Sequence, residues 1–448
     1  MNVVLITIDT VRPDHLGCYG YLRARTPNID RIAGESVVFT QAITNGSYTK
    51  PAFPAILSST YASMYGGPFA AVGEERPMLA KILRTYGYRT AGFSSNPLLG
   101  THIGYNEGFE VFEEPVPPAE NRAWLRWKGV RRLLRSAVAN WLLMKFGVNT
   151  SPRPVYVAGD QISDLAINWL ETQKGPFFIW VHYMDAHWPY HIGASLQTGQ
   201  SRAQAWNDSH ITQKAKTYPG TRMAERLKQL YDTAIEFLDL QIGRLINRLD
   251  RCGFASNTFV IIVADHGEGF YEHGRWGHGA VFDLHDEILR VPLIIKAPGV
   301  PKKERIAQQV CLLDIAPTVL DLLGIAKEPL MEGQSLLPLL ATPGEWQRRI
   351  VICEMVDLKW YCVALRTEQY KYIYDERRPS YRELYDLRGD PNETRNLYGS
   401  RPEIEMEFER ALQRHLQRVA ETSYRDVDGA WQRNDQVIDR LRALGYIE

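Results

Sequence analysis

Residues 259–279 read FVIIVADHGEGFYEHGRWGHG. The first six, Phe259 to Ala264, form an unbroken apolar run rich in β-branched side chains. Such a run marks a strand buried on both faces of a parallel sheet. It ends in Asp265-His266-Gly267, so a carboxylate and an imidazole emerge at the carboxyl end of a central strand. Open α/β sheets bind ligands at that edge. Glu268, Glu272, His273 and His278 follow, interleaved with five glycines. So dense a set of metal-capable groups points to a divalent-metal site. The plainer alternative is a polar loop whose acids and histidines face water.

The same pattern recurs elsewhere in the chain. Val3 to Ile8 is an apolar strand that runs into Asp9, with Arg12 close behind. Phe177 to Val181 is another, and it leads into HYMDAHWPY at 182–190, which carries Asp185 and His187. At 45–59 a loop of small polar residues, NGSY, passes into a helix expected to begin near Pro51. Thr49 and Lys50 therefore stand at a helix N-terminus, where the dipole and free N–H groups favour an anion. Taken alone, Thr49 has an ordinary alternative role as an N-cap, and Asp9 has one as a cap for the turn that follows it.

The remaining chain alternates strands and helices. Short strands are expected at 37–39, 89–95 and 291–296, and helices at 78–86, 160–169, 223–251 and 312–324. Near residue 345 the pattern changes to alternating strands at 350–355, 361–366 and 369–374, with a terminal helical region from Glu403. The fold expected is α/β. A large domain, 1–345, has a central mostly parallel sheet between helices and an insert at 115–155. A small C-terminal α+β domain, 346–448, carries an antiparallel sheet.

Composition narrows the function. The 448 residues hold 52 basic and 52 acidic side chains, and this neutrality argues against bulk nucleic-acid binding. Five scattered cysteines without a CxxC pair read as buried free thiols in a reducing compartment. Residues 2–9 are too short for a signal segment or a membrane span, so cytoplasmic residence is the expectation. Residues 121–146 mix Trp124, Trp127 and Trp141 with seven Arg and Lys residues. This basic amphipathic segment suits a lid, a dimer contact or a peripheral membrane contact. Residues 192–220 are polar and loop-like, and would border a substrate entrance.

Taken in order, these stretches resemble the alkaline phosphatase superfamily, and within it the sulfatase family. The resemblance rests on IDTVRPDHLGCYGY at 8–21, TKPAFPAILSS at 49–59, HYMDAHWPY at 182–190 and ADHGEGFYEHGRWGHG at 264–279. It continues with LRVPLIIKAPG at 289–299, LLDIAPTVLDLLG at 312–324 and ELYDLRGDPNETRNL at 383–397, and so covers nearly the whole chain. It implies an alkaline-phosphatase-like large domain and one divalent ion (Ca²⁺, Mg²⁺, Mn²⁺ or Zn²⁺) held by Asp9, Thr49, Asp265 and His266, with a second ion left open. Such hard oxygens plus one imidazole suit those cations. It also implies that His187 and His278 face the substrate. Arg12 and Lys50, beside the first two ligand positions, would neutralise the ester's charge.

The departures bear on the reaction. Sulfatases carry C/S-x-P-S/A-x-R here and oxidise the Cys or Ser to formylglycine, whereas this chain reads Thr49-Lys50-Pro51-Ala52-Phe53. Oxidising a threonine would give a ketone, so the usual hydrated-aldehyde nucleophile is not available. Where many sulfatases show a GKWHLG-like motif, this chain has GFSSNPLLG at 92–100, and the usual second Asp after Asp9 is Thr10. The resemblance therefore implies a hydrolase or transferase acting on a small anionic ester, lipid or carbohydrate included. A phosphate mono- or diester is favoured, with Thr49 as nucleophile and a covalent intermediate. Sulfate-ester hydrolysis is the first alternative. A non-catalytic family member that binds anionic lipid or glycan is the second.

Overall fold

The computed structural model describes residues 1–65, 72, 76–117, 156–191, 193, 205, 221–279, 284–300, 304–341, 346–347, 349–356 and 361–422. The expected basic segment at 121–146, the polar stretch at 192–220 (apart from residues 193 and 205) and most of the 115–155 insert lie outside them.

The strands of the large sheet are β1 Asn2–Ile8, β2 Val37–Ile43, β3 Arg89–Ser94, β4 Val111–Glu113, β5 Phe177–Tyr183 and β6 Thr258–Ala264. A hairpin of β7 Gly269–Phe270 and β8 Trp276–Gly277 follows, then β9 Arg290–Lys296, β10 Glu304–Ile306 and β11 Val310–Cys311. Their order is β10-β2-β9-β6-β1-β5-β3-β4, with β11 also on β2 and the β7–β8 hairpin apart. β1, β5 and β6 are buried along their whole length, as their uninterrupted apolar runs require. Within this sheet β9 alone is antiparallel to its neighbours, β6 and β2. The carboxyl ends of β1, β5 and β6 therefore point to one edge.

The described helices are α1 Pro27–Ala33, α2 Thr49–Ser58, α3 Leu79–Thr85, α4 Gly159–Leu170, α5 Thr221–Arg251, α6 Asp286–Leu289, α7 Ile315–Leu322, α8 Leu337–Ala341 and α9 Pro402–Thr422. α5 packs on α1 and α4, while α2 packs on α3 and α7.

Register sets the site. Ile8 pairs with Tyr183 on one side and with Ala264 on the other, so Asp9 and Asp265 leave adjacent strands at the same level. Strands in a sheet lie about 4.8 Å apart, which brings the two carboxylates together.

The C-terminal sheet is β12 Val351–Val356, β13 Tyr361–Arg366, β14 Tyr370–Asp375 and β15 Arg382–Asp386, antiparallel throughout. Alternation gives β13 two apolar faces: Cys362 and Ala364 join the main core, and Val363 and Leu365 pack under α9 with Phe408 and Leu412. A buried ion cluster joins this sheet to the rest. Lys371 Nζ lies 2.6 Å from Asp286 and 2.7 Å from Glu393, and Arg366 makes two bonds to Asp286. Lys371→Met is expected to cost about 3–5 kcal/mol of stability, because it leaves buried carboxylates short of a cation. A urea midpoint equal to wild type would contradict this.

Candidate active site

Asp9, Asp265 and His266 each offer an atom within 4.8 Å of the others, and all three are fully buried. Each carboxylate has one oxygen engaged by the protein. Asp9 Oδ2 accepts from Asn96 Nδ2 at 3.0 Å, and Asp265 Oδ1 accepts from the N–H of Thr10 and of His266. The other oxygens, Asp9 Oδ1 and Asp265 Oδ2, have no hydrogen-bond partner among the described residues, and neither does His266 Nε2. His266 Nδ1–H donates to the Gly267 carbonyl at 2.9 Å, which leaves the lone pair on Nε2, 3.5 Å from Asp265 and 3.7 Å from Asp9. A metal-ligating histidine takes that form.

The electrostatics agree. Burial works to raise the Asp9 carboxyl, but its interactions with the neighbouring imidazoles of His187, His182 and His266 outweigh it and hold Asp9 well below the usual carboxylate range. Asp265 is pushed well up, by burial and by the charge of Asp9. His266 is lowered to about 3, by burial and then by His278, so it is neutral. Each buried polar atom left unpaired costs about 1–3 kcal/mol. A divalent cation would match two carboxylates in charge and take up the unpaired atoms. These residues fit one.

Thr49 belongs to the same edge. α2 begins at Thr49, just ahead of Pro51 as expected, so the N-cap position falls on Tyr48, which makes no side-chain cap bond. Thr49 Oγ1 is buried with no hydrogen-bond partner among the described residues. The capping alternative for Thr49 is thereby removed. The loop ahead of it is tightly fitted: a β-carbon on Gly46 would come within 2.4 Å of Ala52 N, so only glycine allows the close approach. The edge strand β12 holds this loop through Glu354 N–H to Asn45 O and Ser47 N–H to Glu354 O.

The two further histidines meet there. The His278 ring lies 4.4 Å from that of His266 and 5.0 Å from that of His187, centre to centre. Burial lowers His278 to about 4 and is the main cause lowering His187. Lys50, in the first turn of α2, is lowered to about 7 by burial.

Arg12 departs from its expected role. Its guanidinium bonds Asp14 twice, Glu272 at 2.7 Å and the Glu268 carbonyl at 2.9 Å. Two carboxylates already balance its charge, so it anchors the loop instead of waiting for an ester. Asp185 Oδ1 accepts the N–H of Gly159 at the start of α4.

Several residues have roles here that the sequence does not reveal. Asn96, in GFSSNPLLG, holds Asp9, and His182 Nε2 lies 3.5 Å from the same Asp9 oxygen. Glu268 accepts from His278 Nδ1 at 2.8 Å and from Tyr190 Oη at 2.7 Å. Thr10 turns its hydroxyl to Ala186 O, and its backbone takes φ 58°, a conformation that costs a residue with a β-carbon about 1–3 kcal/mol. Phe53 points into an aromatic group with Trp180, His182 and Tyr105, and brings no cation to the site. Because outer partners of a ligand typically carry about 10–100-fold in metal affinity, Asn96→Ala is expected to weaken metal binding by that factor. Chelator competition measures it, and unchanged affinity would remove Asn96 from the site.

The other metal-type grouping among the described residues is His273, His285 and Glu287. Its two imidazoles stack 3.6 Å apart at 9°. An ion must lie in the plane of each ligating ring, and parallel rings share no such point. As placed, the two rings do not converge on a common ion.

A family model described as Sulfatase matches residues 1–325, well over half of the chain. The chain belongs to the sulfatase family. A second model, described as N-sulphoglucosamine sulphohydrolase, C-terminal, matches residues 272–422. Among curated relatives, the chain is similar to the uncharacterized sulfatase YidJ of Escherichia coli K12, at 26% identity over 88% of this chain and 82% of the relative. It is also similar to an N-acetylglucosamine-6-O-sulfatase of Bacteroides thetaiotaomicron, at 22% identity over 95% of this chain and 87% of the relative. In fold it resembles the phosphonate monoester hydrolase of Agrobacterium radiobacter, with a TM-score of 0.70 at 21% identity, covering 93% of this chain and 96% of that one. This sulfatase-family chain is thus an ester hydrolase of the alkaline phosphatase superfamily, a family whose enzymes generally bind a divalent metal.

Proposed function

We propose that the chain hydrolyses a phosphate mono- or diester through Thr49, by way of a covalent phospho-threonine. The observation that carries this reading is the Thr49 hydroxyl, buried without a partner among the described residues at the N-terminus of α2 and not engaged in capping. Asp9, Asp265 and His266, with Thr49 as the fourth ligand, would hold one divalent ion. Bound there, it would polarise the ester's anionic oxygen and favour the threonine alkoxide.

Thr49 Oγ attacks phosphorus as the bond to the leaving oxygen breaks. The proton of the Thr49 hydroxyl passes to Nε2 of His278 or His187, which carries the lone pair because Nδ1–H is already committed to Glu268 or to the Trp188 carbonyl, and that proton then leaves with the departing oxygen. Water, or an acceptor hydroxyl in a transfer reaction, then attacks the phospho-threonine and returns Thr49 to its starting state. Lys50 and the N-terminal dipole of α2 would support the negative charge on the group in transfer.

A sulfate ester is the second reading, favoured by the relatives that are named as sulfatases. Cytoplasmic residence is part of the proposal and is supported by five free cysteines. A panel of aryl phosphate, phosphodiester, phosphonate and sulfate esters, each with Mn²⁺, Ca²⁺, Mg²⁺ or Zn²⁺, tests the assignment. The expected result is a phosphate ester turned over best; a sulfate ester turned over best would reverse the order of the two readings.

A further inference from the structure

We propose that Glu268 is a positioning residue for the reaction, clamping the ring of His278 so that Nε2 faces the ester. This rests on the reading of the site as an ester-hydrolysing centre. The placement follows from the β7–β8 hairpin. Gly269 pairs with Gly277 and Phe270 with Trp276, so the next cross-strand neighbours are Glu268 and His278. Glu268 is fully buried, and a buried carboxylate requires partners. It has two: Oε1 lies 2.8 Å from His278 Nδ1, and Oε2 accepts the Tyr190 hydroxyl at 2.7 Å. Tyr190 is itself fully buried, and the Glu268 carbonyl is fixed by Arg12. The clamp therefore has little freedom of its own.

The comparison with His187 sharpens the point. Its Nδ1–H donates to a neutral carbonyl, that of Trp188, at 2.5 Å. A carboxylate acceptor makes a hydrogen bond roughly twice as strong as a neutral one. The His278 ring, bordering His266, is thus held by an acidic side chain and the His187 ring by the backbone. Glutamine at position 268 would keep the arrangement, with its amide oxygen accepting from Nδ1 and its NH₂ meeting the Tyr190 oxygen. Alanine would remove both contacts.

Glu268→Ala and Glu268→Gln in the metal-loaded enzyme provide the test, with Tyr190→Phe as a third variant should the alanine protein not fold. Misorientation of one catalytic group costs on the order of 100-fold, so Glu268→Ala should lower kcat by about that factor with KM nearly unchanged. Glu268→Gln should recover most of the loss, and Tyr190→Phe should show a smaller loss of the same kind. A second readout does not depend on activity: in protein with ¹⁵N-labelled histidine, the downfield Nδ1–H proton signal of His278 should be lost in Glu268→Ala and kept, shifted, in Glu268→Gln. A kcat within about threefold of wild type for Glu268→Ala is far below the loss expected of a clamp, and would overturn the proposal. An unchanged His278 signal would do the same. If no ester is turned over by wild type, the functional reading fails, while the proton signal still decides whether the clamp exists.

Discussion

Thr49→Ala lowers turnover of the best ester substrate by at least about 10⁴-fold, the scale on which removal of a covalent nucleophile acts. That loss corresponds to roughly 5 kcal/mol of barrier. The expectation rests on position as well as residue type. Thr49 is the first residue of α2, and its hydroxyl is buried without a partner among the described residues. A threonine used only to start the helix would be expected to bond backbone N–H groups one turn on. The alanine variant should fold normally, because it deletes a group that makes no hydrogen bond among the described residues. Thr49→Ser should retain part of the activity, since it keeps the hydroxyl and loses only a methyl group. Activity of Thr49→Ala within about tenfold of wild type would rule out the nucleophile assignment.

Asp265→Asn acts on the other half of the site, and its effects should differ with and without metal. Loss of an anionic ligand should weaken metal binding by more than about 100-fold, since outer partners alone account for about 10–100-fold. Turnover falls with it. Without metal, the substitution removes the repulsion between Asp9 and Asp265 that helps push the Asp265 carboxyl up. The metal-free variant should therefore melt no lower than metal-free wild type. An ion at about 100 times its Kd stabilises the folded state by about 2.7 kcal/mol, so wild type should gain a clear rise in Tm on metal addition and the variant should not. Calorimetry with and without Mn²⁺ reads both effects. An equal rise in the two proteins would place the metal elsewhere.

Much of this site is legible in the sequence, because parallel strands buried on both faces leave unbroken apolar runs. The residue that ends such a run marks the binding edge, and that rule picks out Asp9 and Asp265. The direction of β9 is not legible, because an apolar run reads alike in either orientation. Alternation in the C-terminal strands correctly signals a sheet of a different kind. What the sequence hides are contacts that connect distant parts of the chain. Asn96 holds an aspartate 87 positions away, and Arg12 is balanced by Glu272, 260 positions on, so its apparent availability is illusory. Glu268 is visible as part of a polar loop, but its role depends on the hairpin register that sets it opposite His278. Thr49 is undecided in the sequence for a different reason. A helix start shifted by one or two residues separates an N-cap from a hydroxyl with no partner, and the sequence does not locate starts that closely.

The most direct test of the central assignment is mass spectrometry of the peptide containing Thr49, after mixing enzyme with a fast phosphate-ester substrate and quenching in acid. The predicted result is phosphate on Thr49 in the wild-type peptide and none on the corresponding peptide of the Thr49→Ala variant. An unmodified Thr49 during steady turnover, under quenching fast enough to trap the intermediate, would contradict a covalent path through this residue.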